Sequence, residues 1–222
     1  MKLYLNDTSP FSRAVLAILG LIQPSALELE WVDPWQSPNN LKKVNPFCTI
    51  PVLELDDGTA LVESLSICQY LCEAYQVDNL KALNLSEPIE MRVLGLAKTL
   101  MELSFRTAVL PRFTEVENEL ISRGAKAIER CLVQIEEEPA LLLGFDPVDD
   151  SRAPCNLATL YLHVALDYVA FRHNATFSAH AGPNIRAFLA NSPFASLLQA
   201  ITPEQLASKP KFSDLLLSLE AA

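Results

Sequence analysis

The spacing of apolar residues changes repeatedly along the first third of the chain. Short apolar runs, which predict strands, alternate with segments whose apolar residues recur every three or four positions, which predicts helices. The region ends in IPVLELDDGTALVES, where Asp56, Asp57 and Gly58 separate two apolar runs and predict a β-hairpin turn. The predicted order is β-α-β-α-β-β-α, an α/β arrangement in which helices pack against a mixed four-stranded sheet. The strands are predicted at 3–5, 27–32, 52–55 and 60–62, and the helices at 10–21, at 41–44 and from Ser64 onward.

Only helical periodicity remains from about residue 84 onward. The segment 156–171 is apolar on nearly every face, which predicts the buried central helix of a bundle. The chain is therefore predicted to form an α/β domain at 1–77 and an all-helical domain at 84–222, joined by a linker near 78–83.

Composition and charge disfavour several classes of function. The longest uninterrupted apolar stretch, Ala14–Ile22, has nine residues, whereas a membrane span needs about 20. The N-terminus has no signal-peptide pattern, so a soluble cytoplasmic protein is expected. A net charge of −10 would repel phosphate backbones, which disfavours nucleic acid as a partner. Five scattered cysteines and three histidines form no disulfide or ligand pattern, so no metal site is expected.

The first candidate for chemistry is the turn Ser-Pro-Phe-Ser at residues 9–12, where the first strand leads into a helix. Proline suits a first helical turn, and the free N–H groups there favour an anion near Ser9. The turn has the form of a Cys-Pro-x-Cys motif with hydroxyls in place of thiols. It cannot cycle a disulfide, but it can donate a hydrogen bond to the thiolate of another molecule. Taken alone, it is explained better by a second interpretation, in which Ser9 is only the helix N-cap.

Two further features precede and follow the predicted hairpin. Pro51 begins a strand, and if its peptide bond is cis, the backbone of Ile50 is free to pair with an extended peptide-like ligand. Glu63 and Ser64 begin the next helix, where a backbone N–H and a hydroxyl suit a carboxylate and the Glu63 side chain suits an ammonium group. Each feature is common by itself.

Together the three features resemble the glutathione S-transferase superfamily. SPFSRAV, NPFCTIPVLELDDG and ESLSICQYLCEAY occur in the family's order, and PNIRAFLANSPF resembles its late Pro-initiated helix. The resemblance spans nearly the whole chain and is strongest to small cytosolic members of the serine type. It implies a thioredoxin-like N-terminal domain, an all-helical C-terminal domain and a homodimer. It also implies a transferase that takes glutathione as co-substrate and directs its thiolate to an apolar electrophile.

The resemblance also assigns roles to individual residues. Ser9 would stabilise the thiolate, with Ser12 as the second choice. The residues that would bind glutathione all flank predicted strands: Thr49, Ile50, Pro51, Glu63 and Ser64. Within this set, the Ile50 backbone beside a cis Pro51 would pair with the cysteinyl part, and Glu63 with Ser64 would hold the γ-glutamyl end.

The electrophile would occupy an apolar cleft between the Ser9 turn and the long helix near residues 100–106. Its candidate lining residues are Phe11, Leu103 and Arg106. The sequence does not identify the electrophile.

Two adjacent departures from the family pattern, at Cys48 and Thr49, keep other functions open. The family often has Gly-Lys where this chain has Cys48-Thr49, which removes a basic partner for the glycyl carboxylate of glutathione. Lys42 or Lys43 is a candidate replacement. The alternatives are a non-catalytic binding or protein-interaction module on the same fold, and a glutathione-dependent isomerase or peroxidase, which would use the same first site.

Overall fold

The computed structural model describes residues 1–75, 80–114, 118–145 and 155–220. Contacts divide the chain into two compact units, Met1–Asp78 with Ser196–Ala222, and Asn79–Ala195. None of the helices within the described ranges is both long enough and apolar enough to cross a membrane.

The first unit is built on a four-stranded sheet in the order β2-β1-β3-β4. Strand β1 is parallel to β2 and antiparallel to β3, and β3 is antiparallel to β4. The strands are β1 (Lys2–Leu5), β2 (Glu28–Trp31), β3 (Val52–Glu54) and β4 (Ala60–Val62), and the helices are α1 (Pro10–Ile22), α2 (Asn39–Val44) and α3 (Ser64–Tyr75). A helix connects the parallel strands, as the geometry of parallel pairing requires. The predicted β-α-β-α-β-β-α order is confirmed.

Helix α1 supplies much of the core of the first unit. Its residues from Ala14 to Leu19 are at most 1% exposed, because apolar side chains occupy every face of this stretch. It packs against α3, whose inward face carries Ile67, Cys68 and Leu71. The beginning of α1 is thereby held firmly at the end of β1.

The second unit is mainly helical. Its longest helices are α4 (Pro88–Val109), α5 (Glu119–Glu137) and α6 (Leu157–Arg172), followed by α7 (Asn174–His180) and α8 (Pro183–Asn191). Helix α6 is buried along most of its length and packs chiefly against α4. This confirms the central helix that the uniform apolar pattern predicts.

Two features differ from the sequence-based expectation. Strands β5 (Leu80–Lys81) and β6 (Cys155–Asn156) form a small parallel pair, although β5 lies in the predicted linker at 78–83 and no strand is predicted from about residue 84 onward. Two residues are too few to show a hydrophobic period, which is why the pattern gives no sign of either strand.

The three C-terminal helices belong almost entirely to the first unit. They are α9 (Ala195–Ala200), α10 (Pro203–Leu206) and α11 (Phe212–Glu220). The predicted domain boundaries, 1–77 and 84–222, stay a prediction.

Candidate functional site

The sheet register places the three sequence features at one end of the first unit. Tyr4, Val52 and Val62 lie side by side on β1, β3 and β4. Because β3 runs opposite to its two neighbours, the segment after β1, the segment before β3 and the segment after β4 all leave the same end of the sheet. Adjacent strands are about 4.8 Å apart, so these segments span a width of about 10 Å. A tripeptide is long enough to reach across all three.

Ser9 is the N-cap of α1. Its hydroxyl oxygen accepts a hydrogen bond from the Ser12 N–H at 3.1 Å, and its own N–H donates to the side chain of Asn6 at 2.8 Å. The hydroxyl is half-buried, and its hydrogen has no acceptor among the described residues. Both interpretations of the sequence are therefore compatible with the geometry, since the oxygen caps the helix while the hydrogen is left to donate to a ligand.

Ser12 and Phe11 have different environments from Ser9. The Ser12 side chain is 1% exposed, and its hydroxyl is buried without a hydrogen-bond partner in the described part of the chain. A ligand therefore reaches the Ser9 hydroxyl more readily than the Ser12 hydroxyl. Phe11 is half-buried in the first turn of α1.

A buried asparagine that the sequence analysis did not single out shapes the loop before β3. The Asn45 amide donates to the carbonyl and hydroxyl oxygens of Thr49 at 2.9 and 3.0 Å, and its side-chain oxygen accepts from the Phe47 N–H at 3.1 Å. Asn45 is 1% exposed. The Asn-Pro sequence is the signal that would have identified it, since asparagine often bonds the backbone two residues on in turns.

The end of this loop presents free backbone groups. The Ile50–Pro51 peptide bond is cis, as the resemblance implies. The half-buried Ile50 makes no backbone hydrogen bond within the described ranges, so its N–H and C=O are available to a ligand. Thr49 is exposed, with its side chain tied to Asn45, and it supplies no positive charge.

The third segment begins α3. Glu63 has φ +71°, in the left-handed region that non-glycine residues seldom adopt, and such strain is concentrated at functional sites. Its carboxylate is exposed, and the hydrogen bonds given for it within the described residues are long, from the Ser64 hydroxyl at 3.4 Å and the Leu65 N–H at 3.5 Å. The Glu63 carboxylate can therefore face an ammonium group in solvent. Ser64 is buried at the helix N-terminus.

The remaining two candidates lie in the second unit. Leu103 is half-buried and Arg106 is exposed, both near the C-terminal end of α4. The apolar cleft that they were predicted to share with Phe11 stays a prediction.

The cysteines in the helices of the described ranges are poor nucleophiles. Burial raises the pKa of Cys72 to about 12 and of Cys131 to about 11, and it raises the pKa of Cys68 well above its usual range. A thiol with such a pKa stays protonated at neutral pH and does not act as a nucleophile. No cluster of metal-ligating side chains occurs among the residues that the structure describes.

A family model covers the part of the chain that carries these features. Residues 8–74 match the model of the glutathione S-transferase N-terminal domain. The matched range includes Ser9, Ile50 and Glu63. No curated protein matches the chain by sequence.

Several solved structures share the fold over most of the chain. A glutathione S-transferase from Methylobacillus flagellatus KT, with glutathione bound, has a TM-score of 0.71 at 20% identity, covering 91% of this chain and 98% of that chain. A glutathione transferase from Phanerochaete chrysosporium, in complex with oxidized glutathione, has a TM-score of 0.70 at 17% identity, with coverages of 94% and 97%. A beta class enzyme from Sphingomonas chungbukensis has a TM-score of 0.61 at 21% identity, with full coverage of both chains.

At these identities the neighbours show the fold, and the family model adds a match in sequence. The two findings concern the same features, because the matched residues form the sheet end described above. Residues 8–74 therefore match the glutathione S-transferase N-terminal domain in sequence, and the chain as a whole has the fold of glutathione S-transferases.

Proposed function

We propose that the protein is a glutathione transferase in which Ser9 and the N-terminus of α1 stabilise the thiolate of bound glutathione. The observation that carries the proposal is the Ser9 hydroxyl, whose oxygen is fixed by the Ser12 N–H and whose hydrogen is left to donate. The Ile50 backbone would pair with the cysteinyl part of glutathione. Glu63 and Ser64 would hold the γ-glutamyl end.

The magnitudes agree with this division of roles. Lowering a thiol pKa from about 8.5 to about 6.5 requires about 2.7 kcal/mol of preferential stabilisation of the thiolate. A helix N-terminus contributes about 0.3–1 kcal/mol, and a hydrogen bond to a charged group about 1.5–3 kcal/mol. The first turn of α1 contains no acidic side chain that would oppose the effect. Ser9 and the helix end together reach the required value, whereas the helix end alone does not.

The reaction is a conjugation. The thiol proton passes to solvent, and the thiolate sulfur attacks an electrophilic carbon of an apolar substrate. A carbon–sulfur bond forms, and the leaving group departs with its bonding electrons. The protein supplies positioning and electrostatic stabilisation without a covalent enzyme intermediate.

The proposal extends to assembly and location. We propose a homodimer because of the similarity to glutathione S-transferases, and the Phe47 ring, which is 76% exposed in the loop before β3, supports a contact surface in that loop. The expected cytoplasmic location is part of the same proposal.

The test is a pH titration of thiolate absorbance for glutathione bound to the wild type, Ser9→Ala and Ser12→Ala. We expect Ser9→Ala to raise the thiol pKa by about 1–2 units, the equivalent of the lost hydrogen bond. Ser12→Ala is the matched control and leaves the pKa unchanged, because the Ser12 hydroxyl is buried. An unchanged pKa in Ser9→Ala would remove Ser9 from the mechanism.

A binding module is the second candidate, and Thr49 favours it. Its side chain carries no charge for the glycyl carboxylate, and its oxygens are already bonded to Asn45. Calorimetric titration with glutathione separates the candidates. If glutathione does not bind at millimolar concentration, neither a glutathione transferase nor a glutathione-binding module is supported. If glutathione binds but its thiol pKa is unperturbed, the protein is a binding module without transferase activity.

A further inference from the structure

Hydrogen bonds fix Ser9 at its N–H, its carbonyl and its hydroxyl oxygen. The N–H donates to the Asn6 side-chain oxygen at 2.8 Å, the carbonyl accepts from the Arg13 N–H at 3.0 Å, and the hydroxyl oxygen accepts from the Ser12 N–H at 3.1 Å. These bonds hold both the backbone and the side-chain rotamer of Ser9, so its hydroxyl hydrogen moves only by rotation about the Cβ–Oγ bond. The direction in which Ser9 donates is therefore set by its three partners.

Asn6 is the one partner of the three that contributes a side chain. Arg13 and Ser12 contribute backbone N–H groups, which any residue except proline supplies in the first turn of a helix. The N–H of the N-cap residue is different, because it lies outside the helix and has no acceptor within the helical backbone. Asn6 directly follows β1, is half-buried and supplies that acceptor. The junction of strand and helix thus depends on the identity of residue 6.

The neutrality of Asn6 matters as much as its oxygen. Asp7 is the one ionisable side chain in residues 6–12, and the Arg13 guanidinium donates to two backbone carbonyls near the end of α9. An aspartate at position 6 would accept the Ser9 N–H equally well. It would also place a negative charge two hydrogen bonds and one residue away from a sulfur bound to the Ser9 hydroxyl, a separation of at most about 9 Å. Asparagine supplies the acceptor without this charge.

We propose that Asn6 is a positioning residue for the glutathione thiolate and acts through Ser9. It holds the Ser9 backbone so that the hydroxyl donates to the sulfur, and its neutrality leaves the thiolate without a repelling charge at this position. The inference rests on the proposed function, because it presupposes that Ser9 donates to bound glutathione. It adds a residue that the sequence analysis did not single out.

The experiment compares Asn6→Ala and Asn6→Asp with the wild type, using the full chain. The thiol pKa of bound glutathione is measured by thiolate absorbance. We expect Asn6→Ala to raise this pKa by about 0.5–1 unit, because the Ser9 hydroxyl is no longer held in direction. We expect Asn6→Asp to raise the pKa by a similar amount through its charge, and only this second rise should diminish when salt is added.

Three further measurements separate a role through Ser9 from a general loosening of the site. Calorimetry with S-methyl glutathione, which has no thiol, should show an affinity for Asn6→Ala within about twofold of the wild type. In a Ser9→Ala background, Asn6→Ala should cause no further rise in the thiol pKa, because the hydroxyl through which Asn6 acts is absent. Without glutathione, the Ser9 amide hydrogen should exchange slowly in the wild type and in Asn6→Asp, and faster in Asn6→Ala.

Asp57→Ala is the matched control. The Asp57 side chain accepts the Thr59 N–H at 2.8 Å, the same distance as in the bond from Ser9 to Asn6. It lies in the hairpin between β3 and β4, at the end of the sheet opposite to Ser9. This variant should leave the thiol pKa unchanged.

The outcomes distinguish failure of this inference from failure of the proposed function. If Ser9→Ala raises the thiol pKa and both Asn6 variants leave it unchanged, the inference is wrong and the proposed function stands. The inference is also wrong if Asn6→Ala has the same effect with and without the Ser9 hydroxyl, or if Asp57→Ala causes an equal rise. If Ser9→Ala itself has no effect, both fail. If Asn6→Ala does not fold, as judged by circular dichroism, Asn6→Asp carries the test, and the absence of a salt-dependent rise in that variant overturns the inference.

Discussion

Arg13 is a buried cation that joins two distant parts of the first unit, and its removal should destabilise that unit. Its side chain is 9% exposed. Nε donates to the Ile201 carbonyl at 3.1 Å, and Nη2 donates to the Leu198 carbonyl at 2.7 Å. Its backbone N–H donates to the Ser9 carbonyl at 3.0 Å, the first hydrogen bond of α1. One residue therefore connects the beginning of α1 to the C-terminal end of α9 and the residue after it.

The expected cost of Arg13→Met follows from these contacts. Each hydrogen bond from a charged donor contributes about 1.5–3 kcal/mol, and the variant leaves two carbonyls without that donor. Methionine keeps part of the apolar packing of the arginine stem, which reduces the loss. We expect the free energy of unfolding to fall by about 3–5 kcal/mol. At about 2–4 °C per kcal/mol for a chain of this size, the midpoint of thermal unfolding should fall by about 6–20 °C.

Urea unfolding followed by tryptophan fluorescence is the suitable assay. Both tryptophans, Trp31 and Trp35, belong to the first unit, and the Trp31 indole N–H donates to the Pro210 carbonyl at 3.2 Å. Arg92→Met is the matched control, because its pair with Glu138 lies at the surface and such pairs contribute about 0–1 kcal/mol. A loss below about 1 kcal/mol in Arg13→Met, or an equal loss in the control, would refute the reasoning.

Two further predictions concern packing and pH. A Cβ atom on Gly124 would collide with the hydroxyl of the buried Thr107, so Gly124→Ala should cost about 1–3 kcal/mol in unfolding followed by circular dichroism. The cost should largely vanish in a Thr107→Ala background, and Gly95→Ala, which has open space, should be neutral or stabilising. Burial and a 3.0 Å hydrogen bond to Glu54 raise the pKa of Tyr4 to about 12. Since this folded pKa exceeds the ordinary value near 10, stability should fall by about 2–3 kcal/mol from about pH 10 to pH 12, and Tyr4→Phe should lose this dependence.

The sequence predicts the first unit well because its strands and helices are long enough to show a period. The hairpin is specified locally, since Gly58 at φ +84° supplies the turn residue between β3 and β4. The strand and proline around Ser9 are sufficient to suggest a helix N-cap as one of its two interpretations, and Ser9 does cap α1. Local patterns of this kind carry their own structural information.

Contacts between distant segments leave no such pattern. Nothing around Arg13 indicates that its guanidinium meets carbonyls 185 and 188 residues away. The pairing of β5 with β6 likewise depends on two short segments that are distant in the chain. Tertiary packing decides these features, so a periodicity argument cannot supply them.

The two departures from the family pattern in the loop before β3 have different physical consequences. Cys48 replaces a glycine at φ +51°, a conformation that costs a non-glycine residue about 1–2 kcal/mol. The loop is nevertheless held by the Asn45 hydrogen bonds, and Cys48 packs against a cluster that includes Tyr4 and Val52, which offsets the strain. Thr49 has no comparable compensation, because hydrogen bonds to Asn45 cannot replace a positive charge. Cys48 looks like the more disruptive substitution, but it leaves the geometry of the loop in place. If glutathione binds weakly under the proposed function, we expect the cause to be Thr49.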